Sequence, residues 1–155
     1  MYQNAHETYL EGRIASADPL ELVGLLYQGA SGAVRDARRH LSESDITARS
    51  RAISKAYDIL TELTVSLDHA SGGELSRRLE QMYDYMQRRL LEANFQQADG
   101  PLAEVLALLA TLGEAWDELR LRAAEKPAAA PPQSGYWNPG MAPESALESA
   151  HARSF

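Results

Sequence analysis

Apolar residues recur three and four positions apart through most of the chain, the spacing that puts them on one face of an α-helix. Leu22, Leu26, Ala30, Ala33, Ala37 and Leu41 form a first stripe. Ile46, Ile53, Ala56, Leu60, Leu63 and Leu67 form a second, widened by Tyr57 and Ile59. Leu75, Leu79, Met82, Met86, Leu90 and Ala93 form a third, and Leu102, Val105, Leu109, Leu112, Trp116 and Leu119 a fourth, with Leu106, Leu108 and Leu121 beside it. No stretch of useful length alternates with the period of a strand.

The polar positions between the stripes carry start and stop signals. Asp18-Pro19-Leu20-Glu21 reads as a helix start, with aspartate as cap, proline at the first helical position and glutamate at capping-box spacing. Ser42-Glu43-Ser44-Asp45 is a short break rich in capping residues, and Ala70-Ser71-Gly72-Gly73 is expected to stop the second helix. The third then runs from about Glu74 to Ala98, and Asp99-Gly100-Pro101 opens the fourth. Gly24, Gly29 and Gly32 fall inside the first helix, each costing on the order of 1 kcal/mol against alanine. That cost predicts close approach of another backbone. Four helices with short connections predict an all-α, antiparallel up-down-up-down four-helix bundle over residues 18–125. Residues 1–17 form a short amphipathic segment expected to dock on the bundle. Residues 126–155, rich in proline and alanine and without periodicity, read as a disordered tail.

Composition narrows the function classes. The 155 residues carry 22 Asp+Glu against 15 Lys+Arg, a net charge of −7, which argues against nucleic acid as a partner. Without cysteine there is no disulfide, thiol nucleophile or thiolate metal site. Met1 to Ile14 carries polar and charged side chains throughout, so neither a signal peptide nor a membrane anchor is expected, and no apolar run suits membrane insertion. A soluble, intracellular protein fits best.

Candidate chemistry is sparse. The single Glu-x-x-His, Glu148 to His151, lies in the tail instead of a bundle core. His40 and His69 sit near expected helix ends, where the helix dipole explains them better than metal ligation or phosphotransfer does. No phosphate-binding loop or serine-nucleophile motif is present. The chain does not read as an enzyme, and no metal or cofactor is expected. Its positive signal is surplus apolar and aromatic surface, in Tyr27, Tyr57, Tyr83, Tyr85 and Trp116, which suits a groove for an amphipathic segment of another chain.

Residues 72–94 make this specific. Gly72-Gly73-Glu74, then Tyr83-Asp84-Tyr85-Met86, Arg88-Arg89-Leu90 and Glu92-Ala93-Asn94 closely resemble the flagellar secretion chaperone family FliS. In order, Leu25-Leu26-Tyr27-Gln28-Gly29-Ala30, then Ser54-Lys55-Ala56 with Ile59-Leu60 and Leu67-Asp68, and Glu104-Val105 with Leu108-Leu109 and Ala115-Trp116 resemble its other helices. The resemblance covers roughly residues 1–122. It departs at the usual Ser-Pro helix start, here Asp18-Pro19, and in the tail, which has no counterpart.

The resemblance implies a cytoplasmic four-helix bundle that binds the C-terminal segment of flagellin, which is disordered alone. It implies that binding prevents premature polymerisation and assists delivery to the flagellar type III export apparatus. The bound segment is expected to be largely helical and wrapped around a monomeric chaperone in a one-to-one complex. Expected partner-binding residues are Leu26, Tyr27, Ile53, Ala56, Tyr57, Leu60, Tyr83, Met86, Arg89 and Asn94, with Tyr9, Leu10 and Ile14 covering part of the surface when flagellin is absent. Periodicity does not separate groove from core among them. The alternative is a helical scaffold that binds a flagellar regulator or another export component through the same face.

Overall fold

The computed structural model describes residues 18–125. They form four helices, α1 (Pro19–Ser42), α2 (Ile46–Val65), α3 (His69–Gln96) and α4 (Asp99–Glu125), and no strand occurs among the described residues. The chain divides into two compact units, Met1–Glu118 and Leu119–Phe155, and α4 runs through the division. Residues 119–125, the last turns of α4, are exposed.

Aspartates start three of the helices. Asp18 Oδ1 accepts from the Glu21 N–H at 2.7 Å, Asp45 Oδ1 from Ala48 at 3.1 Å, and Asp68 Oδ1 from Ala70 and Ser71, each at 3.1 Å. Each satisfies N–H groups that the helix itself leaves unpaired, typically worth about 1 kcal/mol relative to alanine.

The Asp68 cap moves a predicted boundary. Helix α2 ends at Val65, before the glycine pair, and residues 69–72 already form the first turn of α3. The chain then kinks at Gly73, whose φ of 51° and ψ of −124° lie where a Cβ is strongly disfavoured. The glycines therefore bend a helix start instead of ending the preceding helix. Two consequences follow. Leu75, placed on the core stripe by its spacing, is exposed after the kink. His69 begins α3 instead of ending α2, so the C-terminal dipole does not explain it. Its Nδ1 shares a 2.7 Å hydrogen bond with Ser76 Oγ, and its Nε2 lies 3.5 Å from Glu80.

The glycines of α1 also differ from expectation. A Cβ at Gly24 would meet the Trp116 ring at 3.6 Å, one at Gly29 the Ile59 side chain at 3.4 Å, and one at Gly32 nothing within 4 Å. Side chains, not another backbone, lie against Gly24 and Gly29, and Gly32 faces open space.

Cross-helix contacts establish the antiparallel order. Arg38, near the end of α1, bonds Asp99 at the start of α4, while Trp116 Nε1 on α4 donates to the Leu20 carbonyl at the start of α1, 2.8 Å away. Arg49 at the start of α2 reaches Asn94 near the end of α3, and Arg89 on α3 reaches Glu104 near the start of α4. Tyr27 and Tyr83 meet between α1 and α3, which run parallel across the diagonal.

The core is built from Tyr27, Ala30, Ala33, Val34 and Ala37 of α1, with Ile53, Ala56, Leu60 and Leu63 of α2. Helix α3 adds Tyr83, Met86, Leu90 and Ala93, and α4 adds Leu102, Val105 and Leu109. The alanine stripe of α1 makes room for the larger residues opposite, as close packing requires.

Candidate partner-binding site

Burial sorts the residues that periodicity left together. Tyr27, Ile53, Ala56, Leu60, Tyr83 and Met86 are core residues. Ile53, Tyr27 and Tyr83 still each reach the wall of a hollow. Leu26, Tyr57, Arg89 and Asn94 are half-buried, which leaves part of each for a partner. Tyr9, Leu10 and Ile14 lie outside the described residues.

Arg89 is already committed within the bundle. Its Nη1 donates to Glu92 at 2.7 Å, and its Nε and Nη2 donate to Glu104 at 3.1 and 2.8 Å. The Tyr85 hydroxyl donates to the other Glu104 oxygen. This network ties α3 to α4 and has the titration behaviour its contacts dictate. The Tyr85 hydrogen bond and then Arg89 hold the Glu104 carboxyl below its usual range, and the same hydrogen bond pushes the Tyr85 hydroxyl up.

Two hollows adjoin α2 and share Ser54 and Asp58 in their walls. The larger, about 720 Å³, runs along the outer face of α2 from Ile46 to Glu62. The smaller, about 270 Å³, lies between α2 and α3 and is walled by Ile53, Tyr57, Leu91 and Asn94 as well. Beside it, Leu91 is 53 % and Phe95 90 % exposed. One helical turn separates them, so they share the face of α3 that flanks the hollow. Neither was singled out from the sequence. Their signal is an apolar pair at four-residue spacing that falls off the core stripe.

A third hollow, about 330 Å³, lies near the kink of α3 and is lined mainly by apolar groups of Val23, Leu67, Leu75, Leu79 and Trp116. Among the described residues no group of three or more His, Cys, Asp or Glu is placed to hold a metal ion, and no helix is long and apolar enough to cross a membrane.

At the upper end of the α2–α3 seam lies a residue absent from the sequence-based expectations. Arg49 is 4 % exposed, in the first turn of α2, where the helix dipole disfavours a cation. Its Nε donates to Asn94 Oδ1 at 3.1 Å and its Nη2 to the Asn94 backbone carbonyl at 3.4 Å. Ser50 Oγ donates to the same Oδ1 at 3.1 Å. A buried guanidinium thus rests on neutral acceptors, with no ion pair to a carboxylate among the described residues. Heptad spacing places Arg49 among core positions but carries no signal that an arginine would be buried there.

An exposed apolar strip beside a hollow on a four-helix bundle is the kind of surface that protein-binding modules present. The chain matches the family model described as "Flagellar protein FliS" over residues 1–123, and it belongs to that family. It is 38 % identical over 115 residues to the flagellar secretion chaperone FliS of Salmonella typhimurium, covering 74 % of this chain and 85 % of the relative. It is 36 % identical over 108 residues to the flagellar secretion chaperone FliSB of Pseudomonas aeruginosa, covering 70 % and 86 %. Against FliS of Bacillus subtilis the identity is 34 % over 116 residues, covering 75 % and 86 %.

Proposed function

We propose that this chain is a cytoplasmic flagellar secretion chaperone and not an enzyme. It binds the C-terminal segment of flagellin one-to-one, prevents its premature polymerisation and assists its delivery to the export apparatus. Family membership supports the chaperone role. The observation that carries the binding mode is the exposed Leu91–Phe95 pair beside the α2–α3 hollow, an apolar strip suited to the face of an amphipathic segment. A partner segment that folds only on binding loses affinity to its own ordering, and a long contact along α2 and α3 offsets that loss.

Co-purification with flagellin of the same organism tests the reading. Intact flagellin should be retained as a one-to-one complex by light scattering, and flagellin lacking its C-terminal segment should not. Equal retention of both would overturn it. Tyr9, Leu10 and Ile14 belong to the same proposal as a cover over part of this surface. Deleting residues 1–17 should then tighten or speed binding of a C-terminal flagellin peptide, because apparent affinity is reduced by the covered fraction. Complete loss of binding would make them part of the site instead.

A further inference from the structure

The Arg49–Asn94 contact settles which way the Asn94 amide faces. Arginine Nε only donates, so the Asn94 atom 3.1 Å from it is the oxygen. The Ser50 hydroxyl binds that same oxygen and fixes it from a second side. The amide nitrogen, with two donor hydrogens, is left without a protein partner among the described residues, in a half-buried residue that lines the α2–α3 hollow. Arg49 gains nothing electrostatic from an amide that a carboxylate would not supply better. Aspartate would satisfy Arg49 and Ser50 equally well and neutralise the buried charge. What aspartate lacks is the pair of outward hydrogens.

We infer that Asn94 is a specificity residue of the binding surface, donating from its amide nitrogen to a backbone carbonyl of the bound segment. Arg49 and Ser50 are positioning residues that hold the amide in that orientation. This rests on the chaperone reading and refines it. Ile53, Tyr57 and Leu91 around the same hollow take an apolar side chain of the segment, and Asn94 reads the main chain next to it. A helical carbonyl keeps a second lone pair after accepting from the N–H four residues on, as the Tyr57 carbonyl does in accepting from Gln87 Nε2 at 3.1 Å, so the segment can present an acceptor to Asn94 whether or not it is helical there.

The test is Asn94→Asp in the full chain, with a synthetic peptide of the C-terminal segment of the same organism's flagellin as probe. The wild-type chain is titrated first, so that failure of the chaperone reading itself is seen separately, as absence of wild-type binding. Against a binding wild type, Asn94→Asp should keep or raise the melting temperature, because Arg49 gains a carboxylate, while affinity falls roughly tenfold or more as a donor becomes an anion facing a carbonyl. Stability and binding moving in opposite directions separates this role from a structural one. Affinity within about twofold of wild type would overturn the inference. So would a fall in melting temperature, since the amide nitrogen would then be needed inside the bundle.

Discussion

The hydroxyls of Tyr27 on α1 and Tyr83 on α3 hydrogen-bond each other at 2.5 Å within the core, across the diagonal of the bundle. The two rings lie tilted at 53° with centroids 6.4 Å apart, and the Trp116 ring also lies 6.4 Å from that of Tyr27. Each hydroxyl satisfies the other where water does not reach. The pair therefore links α1 to α3 by a bond that neither phenol can replace alone.

Removing one partner should cost more than removing both. Tyr83→Phe or Tyr27→Phe leaves a buried hydroxyl unpaired and should lower stability by about 1–3 kcal/mol, whereas the double variant should approach neutrality. Denaturant titration of the four proteins measures the coupling, and additive single losses would contradict it.

Burial raises both hydroxyls above their ordinary pKa of 10.0, Tyr83 further through its bond to Tyr27. The folded chain then keeps protons that the unfolded chain releases, so stability is full below about pH 10 and falls as pH rises beyond it. Thermal melts in that range should show the fall, and the Tyr27→Phe/Tyr83→Phe variant should show a shallower one. Part of the slope should persist from Tyr85, which Glu104 also raises.

At acid pH the sign reverses. Asp99 is held down by its Arg38 hydrogen bond, Asp68 by Ser71, and Glu104 by Tyr85 and then Arg89. Their contribution is present above the unfolded carboxylate range and is lost as pH falls through it, below about pH 4. Asp99→Asn should flatten this limb in thermal melts. The Arg38–Asp99 pair is half-exposed, so a double-mutant cycle at neutral pH should give only about 0.2–1 kcal/mol.

Two glycines should respond in opposite directions to the same change. Gly73→Ala forces a Cβ into a backbone conformation that only glycine adopts readily, with an expected loss of about 1–3 kcal/mol. Gly32→Ala sits in mid-helix with open space and should stabilise by up to about 1 kcal/mol. Melting temperatures of the two variants check this directly.

Binding and folding should separate between Phe95 and Tyr83. Phe95→Ala should leave the melting temperature near wild type, since the ring is already in solvent, yet weaken flagellin-segment binding severalfold. Tyr83→Glu, buried against Tyr27, should lose helical content and binding together. Circular dichroism alongside calorimetry distinguishes the two outcomes.

The helices and most of their ends were legible in the chain itself, because helix period and capping are local. The run from Leu22 to Leu41 and the Asp18-Pro19 start specify α1 without reference to anything distant. The ordered matches from Leu25 to Trp116 likewise pointed to the family. The exceptions arose where two local signals competed. At Asp68 to Gly73 the aspartate cap began a helical turn before the glycines bent the chain, and this moved Leu75 from core to surface. What only the packed bundle decided was the division of each apolar stripe into core and surface. Periodicity gives the direction of a side chain from its own helix axis, but burial depends on how neighbouring helices cross. Leu60 and Met86 vanish into the core while Leu91 and Phe95 stay outside it. The buried Arg49 and the orientation it imposes on Asn94 belong to the same class: they join residues 45 positions apart, a pairing set by the α2–α3 packing and by no spacing along the chain.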